Sequence, residues 1–156
     1  MQTARAVFLL VAVLAIISET KAGCPGGFSL FAGHCYLYGK DPELTWFEAS
    51  ALCVSQGAYL VNIGSSNEQH YIERSIRNTA MKNFWIGANS IGKNQQYWTK
   101  GNAVAGGYTN WQHGQPSKYH KGNLEPCTLI WGDNGDRWND VQCFQRYFYI
   151  CEHDNA

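Results

Sequence analysis

Apolar and aromatic residues occur in short patches that predict alternating strands and helices. The patch from Phe28 to Tyr38 is interrupted by Gly33, which predicts two short strands joined by a tight turn. Thr45 stands three residues before Glu48, the spacing of a capping box, and apolar positions then recur at helical spacing until Gly57 supplies a stop. The pattern therefore predicts an N-terminal hairpin followed by a first helix.

A second strand and helix follow. Residues 58–63 are strand-like, Ser65 and Glu68 have the spacing of another capping box, and Ile72 and Ile76 share one face of the helix that this predicts. The apolar run 84–87 leads into a segment without helical or strand periodicity that extends to about Glu125. We expect this segment to be an ordered, functional loop, because it is rich in aromatic residues. Strand-like runs at 127–131 and 147–151 complete the pattern.

The first 22 residues have the pattern of a signal peptide: a cationic start at Arg5, an apolar run over 6–17 and small residues up to Ala22. The apolar run is shorter than the roughly 18–20 residues that a membrane-spanning helix needs. We therefore expect cleavage after Ala22, a secreted protein without membrane insertion, and a single domain over residues 23–156.

Charge is balanced after removal of the leader, with 10 basic and 11 acidic residues remaining. Nucleic acids and anionic lipids are bound mainly by clustered lysine and arginine. The sequence shows no such cluster, so we expect no nucleic-acid partner.

All six cysteines follow the leader, and an even number in a secreted chain predicts three disulfides. They are Cys24, Cys35, Cys53, Cys127, Cys143 and Cys151. Spacing alone permits fifteen pairings. Zinc is the competing interpretation, but the chain has no Cys-x-x-Cys pair and no close group of cysteine and histidine.

Several short segments together resemble the C-type lectin family over the range Cys24 to Glu152. These segments are Trp85-Ile86-Gly87, Tyr108-Thr109-Asn110-Trp111, Gly114-Gln115-Pro116, Glu125-Pro126-Cys127, Trp138-Asn139-Asp140 and Tyr149-Ile150-Cys151-Glu152. Each is weak alone, and their order and spacing carry the resemblance. It implies an α+β fold with two helices flanking two small antiparallel sheets, a long loop region, and disulfides Cys24–Cys35, Cys53–Cys151 and Cys127–Cys143.

The resemblance also implies a calcium site. In the family, a Glu/Gln-Pro-Asn/Asp triplet, a following Glu and an Asn-Asp pair surround one ion, and their oxygens are the ligands that calcium prefers. The matching metal ligands here are Gln115, Ser117, Glu125, Asn139 and Asp140. We expect a cis bond between Gln115 and Pro116, because it would turn the side chains of Gln115 and Ser117 towards one ion.

Ser117 departs from the family pattern, which has asparagine or aspartate at this place. Only Glu125 and Asp140 bring charge to the expected ligand set. Because few anionic ligands weaken calcium binding, we predict a dissociation constant of about 10⁻⁴ to 10⁻³ M.

The sugar implied by a triplet that begins with glutamine is of the galactose type, so we expect terminal galactose or N-acetylgalactosamine. The expected sugar-binding residues are Gln115, Ser117, Tyr119, Glu125, Asn139 and Asp140. The Tyr119 ring would pack on the apolar face of the sugar, although it could equally fill the loop. Trp131 is a second aromatic candidate, but its strand-like run favours a place in the core.

Enzymatic alternatives explain fewer residues. Glu125 and Asp140 could form a glycosidase pair, but calcium also accounts for their neighbours. His113 and His120 could hold zinc with Glu125, but histidines seven residues apart in a loop are more often surface residues. No nucleophile is indicated, because every cysteine is assigned to a disulfide. We expect a binding protein, not an enzyme.

Two functions remain open at this point. The first is a secreted, calcium-dependent lectin, for which recognition of microbial glycans in innate defence is one role. The alternative, which Ser117 keeps open, is a calcium-independent module of the same fold that binds protein, ice or mineral. The chain has no collagen repeat, heptad pattern or odd cysteine, so any homo-oligomer would be non-covalent.

Overall fold

The structure is a computed structural model that describes residues 23–77 and 79–155. The expected signal peptide and its cleavage after Ala22 lie outside these residues. Within the described ranges, no helix is both long enough and apolar enough to cross a membrane.

Strands and two helices alternate along the first half of the chain, and strands dominate its end. The elements are β1 (Ser29–Phe31), β2 (His34–Leu44), α1 (Trp46–Ser55), β3 (Tyr59–Leu60), α2 (Ser66–Arg77), β4 (Phe84–Asn89), β5 (Tyr119–His120), β6 (Asn123–Leu124), β7 (Cys127–Trp131), a 3-10 turn (Gly132–Asn134), β8 (Arg137–Val141) and β9 (Tyr147–Asp154). The expected hairpin, both helices and the closing strands are confirmed.

The α+β architecture that the resemblance implies is confirmed, together with the pairings Cys24–Cys35, Cys53–Cys151 and Cys127–Cys143. The order of strands in the main sheet is β1-β2-β9-β4-β7-β8, with β3 also on β9, while β5 and β6 form a separate hairpin. Most pairs are antiparallel, but β4 pairs with β9 in parallel. Because parallel neighbours need a long connection, the spacing of apolar residues gave no sign of this pairing.

Both helices begin where the capping boxes predict, but the two caps differ. At α1, the Thr45 hydroxyl accepts from the Glu48 amide at 3.3 Å and the Glu48 carboxylate accepts from the Thr45 amide at 2.8 Å. At α2, the Ser65 hydroxyl accepts from the Glu68 amide at 3.2 Å, but the Glu68 carboxylate accepts from Gly64, one residue earlier, at 2.8 Å. The second capping box is therefore only half formed.

Two apolar clusters lie on opposite sides of the central strands, because alternate residues of a strand point to opposite faces. Phe84 and Ile86 of β4 belong to the first cluster with Ile72 and Ile76 of α2, whereas Trp85 belongs to the second. The second cluster also holds the buried face of α1, which is formed by Trp46, Ala49 and Cys53. Each helix thus covers one side of the sheet.

The long loop region is ordered by aromatic packing, as its composition predicts. The rings of Trp98, Tyr108 and Trp111 meet the buried Trp138 edge-on, with centroid distances of 5.5, 5.8 and 5.5 Å. Backbone hydrogen bonds join Trp138 to Asn110 and Gln112. The loop is therefore attached along β8.

Strand assignments differ from the sequence pattern in several places, among them the β5–β6 hairpin within the segment expected to be a loop. Of the strand expected over 58–63, only Tyr59–Leu60 pairs in a ladder, because the next residue bridges two strands: the Val61 amide donates to Ile150 and its carbonyl accepts from Gly87. The strand β8 was not predicted, since its Asn139-Asp140 pair marked it as a ligand segment. It lies at the edge of the sheet, beside β7.

Gly87→Ala tests the close packing of this junction. A Cβ atom at Gly87 would lie 2.4 Å from the Leu60 carbonyl oxygen and 2.5 Å from Asn62 Oδ1, so the backbone would have to move. We expect the free energy of unfolding to fall by at least about 1–3 kcal/mol, measured by urea titration with disulfides intact. Gly26→Ala is the control, because nothing lies within 4 Å of its added Cβ atom. Equal stability of both variants would contradict the packing described here.

Candidate functional site

The end of the long loop turns back towards the sheet at the peptide bond between Gln115 and Pro116, which is cis, as expected. Directly after it, the Ser117 amide donates to Gln115 Oε1 at 2.7 Å. The Gln115 side chain therefore folds over its own loop, with its amide oxygen next to Ser117.

Asp140 anchors this turn to the sheet. It pairs with Thr128 across β8 and β7, and its side chain is fully buried. Oδ1 of Asp140 accepts from the Ser117 amide at 2.9 Å, and Oδ2 accepts from the Lys118 amide at 2.7 Å. Charged acceptors make the stronger hydrogen bonds, so this carboxylate fixes the position of the loop.

Glu125 approaches from the other side of Ser117. The Ser117 hydroxyl donates to Glu125 Oε2 at 3.2 Å, which places the serine between two acidic side chains. Glu125 is largely buried. Burial raises the pKa of its carboxyl group, as does the negative charge of Asp140, whereas the hydrogen bond from Ser117 and the charge of His120 lower it.

Asn139 lies next to Asp140 on the same strand, β8. Its Oδ1 is buried and has no hydrogen-bond partner among the described residues. Buried polar atoms are nearly always paired, and an exception calls for a bound water or ion. Carboxylate and amide oxygens are the ligands that calcium prefers, so the side-chain chemistry of Gln115, Glu125, Asn139 and Asp140 fits calcium.

The structure thus brings four of the five expected metal ligands into one hydrogen-bonded group: Gln115, Ser117, Glu125 and Asp140. Asn139 is adjacent to Asp140 on β8 but makes none of these bonds. The sequence did not reveal the part played by the backbone amides of Ser117 and Lys118. Both amides donate to the same carboxylate, and Lys118 adopts a positive φ of 64° directly after them.

The aromatic candidates have different surroundings. Tyr119 is 62% exposed on β5, where it pairs with Leu124 of β6 beside the acidic group. Trp131 is partly buried against the second apolar cluster, as its strand setting predicts. His113 and His120 are exposed, as expected of surface histidines.

A cavity of about 190 Å³ adjoins the turn, lined by Pro116, Lys118, Trp111 and Val104 among others. Its walls come from the long loop and from the triplet that carries Gln115 and Ser117. The sequence did not indicate this cavity, because its lining residues are brought together by the packing of the loop around Trp138.

Comparison with known proteins places this chain in a family. Residues 42–153 match the family model of the lectin C-type domain. The chain is 32% identical over 136 residues to human C-type mannose receptor 2, a match that covers 86% of this chain but 9% of that receptor. It is 31% identical over 132 residues to a perlucin-like protein of Mytilus galloprovincialis, which covers 82% of this chain and 81% of that protein.

Solved structures agree. The carbohydrate-recognition domain of the mouse scavenger receptor C-type lectin has a TM-score of 0.75 at 28% identity, covering 86% of this chain and 100% of that domain. A calcium-independent type II antifreeze protein has a TM-score of 0.71 at 27% identity, covering 86% of this chain and 96% of the other. This chain therefore belongs to the C-type lectin domain family, whose members are generally carbohydrate-binding and not enzymatic.

Proposed function

We propose that this protein is a calcium-dependent lectin that binds terminal galactose or N-acetylgalactosamine through Gln115, Ser117, Glu125, Asn139 and Asp140. The observation that carries the proposal is the hydrogen-bonded group in which Ser117 joins the buried carboxylates of Glu125 and Asp140, with the buried, unpartnered Oδ1 of Asn139 one residue before Asp140 on β8. A cation at this place would satisfy that atom and offset the repulsion between Glu125 and Asp140.

Each residue would have a separate task. The Ser117 and Lys118 amides hold the Asp140 carboxylate in place, so that Asp140 needs little rearrangement on binding. Bound calcium would supply the positive charge that attracts paired sugar hydroxyls. The Gln115 amide can both donate to and accept from such a hydroxyl, and in the resemblance a glutamine at this place goes with galactose-type sugars.

Ser117 would weaken the site. Its hydroxyl contacts Glu125 and its amide contacts Gln115 and Asp140, but it brings no charge. With Glu125 and Asp140 as the two charged ligands, the site would just neutralise the ion, which supports a dissociation constant of about 10⁻⁴ to 10⁻³ M. Extracellular calcium suits such a site.

The wider role follows from the same proposal. We propose secretion after removal of residues 1–22, and recognition of microbial glycans as the physiological task. A single sugar site binds weakly, so this task would need several sites in one assembly, formed as a non-covalent homo-oligomer. The nearly balanced charge of residues 23–156 gives no support for a nucleic-acid partner.

A second candidate function is a calcium-independent binding module for ice, mineral or protein. It is favoured by Ser117, which departs from the ligand pattern, and by the likeness to the calcium-independent antifreeze protein. The retained Glu125 and the Asn139-Asp140 pair favour the lectin.

The lectin proposal predicts retention of the chain on galactose resin in several millimolar calcium and elution by chelator. Calorimetry should give the calcium affinity stated above. Asp140→Asn should abolish retention on the resin and calcium binding, because it removes a charged ligand. Asp133→Asn changes an exposed carboxylate and should affect neither. Retention that persists in chelator, or no heat of calcium binding at several millimolar, would favour the calcium-independent module.

Glu125→Gln should stabilise the calcium-free protein at neutral pH. Since burial raises the pKa of Glu125, the folded protein binds this proton more tightly than the unfolded chain. The contribution to stability is therefore present at low pH and is lost as pH rises above the usual glutamate range. Glutamine is uncharged, so it removes the free-energy cost of burying an ionised carboxylate, and its amide oxygen can still accept from the Ser117 hydroxyl.

Urea unfolding in chelator measures this effect, with the exposed Glu43→Gln as the control. The Glu125→Gln midpoint should exceed that of the wild type, and added calcium should raise only the midpoints of the wild type and the control. A lower midpoint for Glu125→Gln in chelator would contradict the electrostatic cost described here.

Tyr119→Ala should weaken galactoside binding without changing calcium affinity, since the ring is exposed and makes no hydrogen bond to the acidic group. The expected loss is about 0.5–1.5 kcal/mol, as for other aromatic contacts. Tyr119→Phe is the matched control and should retain most of the affinity. If Tyr119→Ala binds galactosides like the wild type, the ring only fills the loop.

A further inference from the structure

A second group of ligand-type side chains lies where the start of β2 meets the end of β9. His34 pairs with Asp154 across these strands, and Tyr36, two residues on, pairs with Glu152. Because side chains two residues apart on a strand share a face, His34, Glu152 and Asp154 all project from the same side of the sheet. None of them belongs to the proposed sugar site.

The potential ligand atoms are close together. His34 Nδ1 lies 2.7 Å from Glu152 Oε1 and 3.5 Å from Asp154 Oδ1. One atom from each of the three residues fits within 4.8 Å of the others. Zinc bonds nitrogen and carboxylate oxygen at about 2.0–2.2 Å, so ligands around one ion lie within about 4 Å of each other. Little movement would be needed to enclose an ion.

The buried carboxylate of Glu152 has a polar neighbour at each oxygen, and His34 is one of them. Glu152 is almost completely buried, with Oε2 accepting from the Asn62 amide at 2.9 Å, and burial raises the pKa of its carboxyl group. His34 Nδ1 is itself buried and makes no hydrogen bond within the described residues, although it touches Glu152 Oε1. At this distance the imidazole and the carboxylate form an ion pair when His34 is protonated, and a divalent ion would have to take the place of that proton.

The group is accessible from a neighbouring cleft, and a lysine competes with a metal ion for one of its carboxylates. A cleft of about 340 Å³, lined by His34, Glu152 and Lys100 among others, opens beside the group. The Lys100 ammonium lies 2.7 Å from Asp154 Oδ2, and the Tyr59 hydroxyl donates to Asp154 Oδ1 at 2.6 Å. Lys100 is therefore a cation that competes for Asp154.

We propose that His34, Glu152 and Asp154 form a second metal site, which takes a zinc-class divalent ion. An imidazole nitrogen with two carboxylates suits zinc, whereas calcium prefers oxygen ligands alone. The ion would join the first residue of β2 to the last residue of β9 and so hold the two ends of the described domain together. This site is independent of the proposed lectin function.

Calorimetric titration of the oxidised chain with zinc chloride, in buffer that contains several millimolar calcium, tests the proposal. We expect saturable binding of one zinc ion, at least about tenfold weaker in His34→Ala, since even loss of an outer partner of a ligand costs that much. Lys100→Met should bind zinc more tightly, because it removes the competing ammonium. His70→Ala, at an exposed position of α2, is the control and should bind as the wild type does. Asp140→Asn should also bind zinc normally, which separates this site from the calcium site.

Thermal unfolding gives a second measure, since an ion that binds only the folded state must raise the midpoint temperature. Zinc should raise the midpoint of the wild type and of Lys100→Met, and chelator should reverse the rise. Unchanged zinc affinity in His34→Ala, or no gain in Lys100→Met, would overturn the proposal. If His34→Ala fails to fold, Lys100→Met alone decides, because only a site at Asp154 is strengthened by that change.

Discussion

The packing of three loop aromatics around the Trp138 ring is the interaction on which the functional end of this protein depends. The long loop has almost no regular secondary structure, so its backbone order has to come from side chains. Trp98, Tyr108 and Trp111 surround the ring, and the Trp138 Nε1–H donates to Gln69 Oε1 of α2 at 2.9 Å. One buried indole therefore connects the loop, the edge strand β8 and the second helix. Asn139 and Asp140 follow Trp138 directly on β8. The ring that orders the loop therefore also positions Asp140, which binds the end of the loop at Ser117 and Lys118.

The site itself opposes stability. Two acidic side chains are buried within reach of one serine, and burial and mutual repulsion raise the pKa of Glu125. Hydrogen bonds from two backbone amides and one hydroxyl compensate in part for this repulsion. Under the proposed function, a loosely bound cation would relieve this repulsion.

The group where β2 begins and β9 ends also contains a buried carboxylate surrounded by polar groups. Glu152 is buried there because three strands meet, and Tyr59, Asn62 and His34 provide the polar groups around it. Both metal proposals thus rest on a buried carboxylate with further ligand-type side chains beside it. The ligand types differ, since one set is made of oxygens and the other includes an imidazole nitrogen, and this difference separates the ions that they would prefer.

The sequence alone determined the features that depend on neighbours in the chain: the hairpin at Gly33, the cap at Thr45 and Glu48, the buried faces of both helices and the aromatic content of the loop. The family resemblance added the ligand set and the disulfide pairing. Spacing alone had left fifteen possible pairings of the six cysteines. Tertiary structure decided the parallel pairing of β4 with β9, the half-formed cap of α2, the amides of Ser117 and Lys118 on Asp140, and the meeting of His34 with Glu152. The reason is physical. Local hydrogen bonds and periodic faces recur at fixed spacings along the chain, whereas contacts between distant segments depend on how the whole core packs.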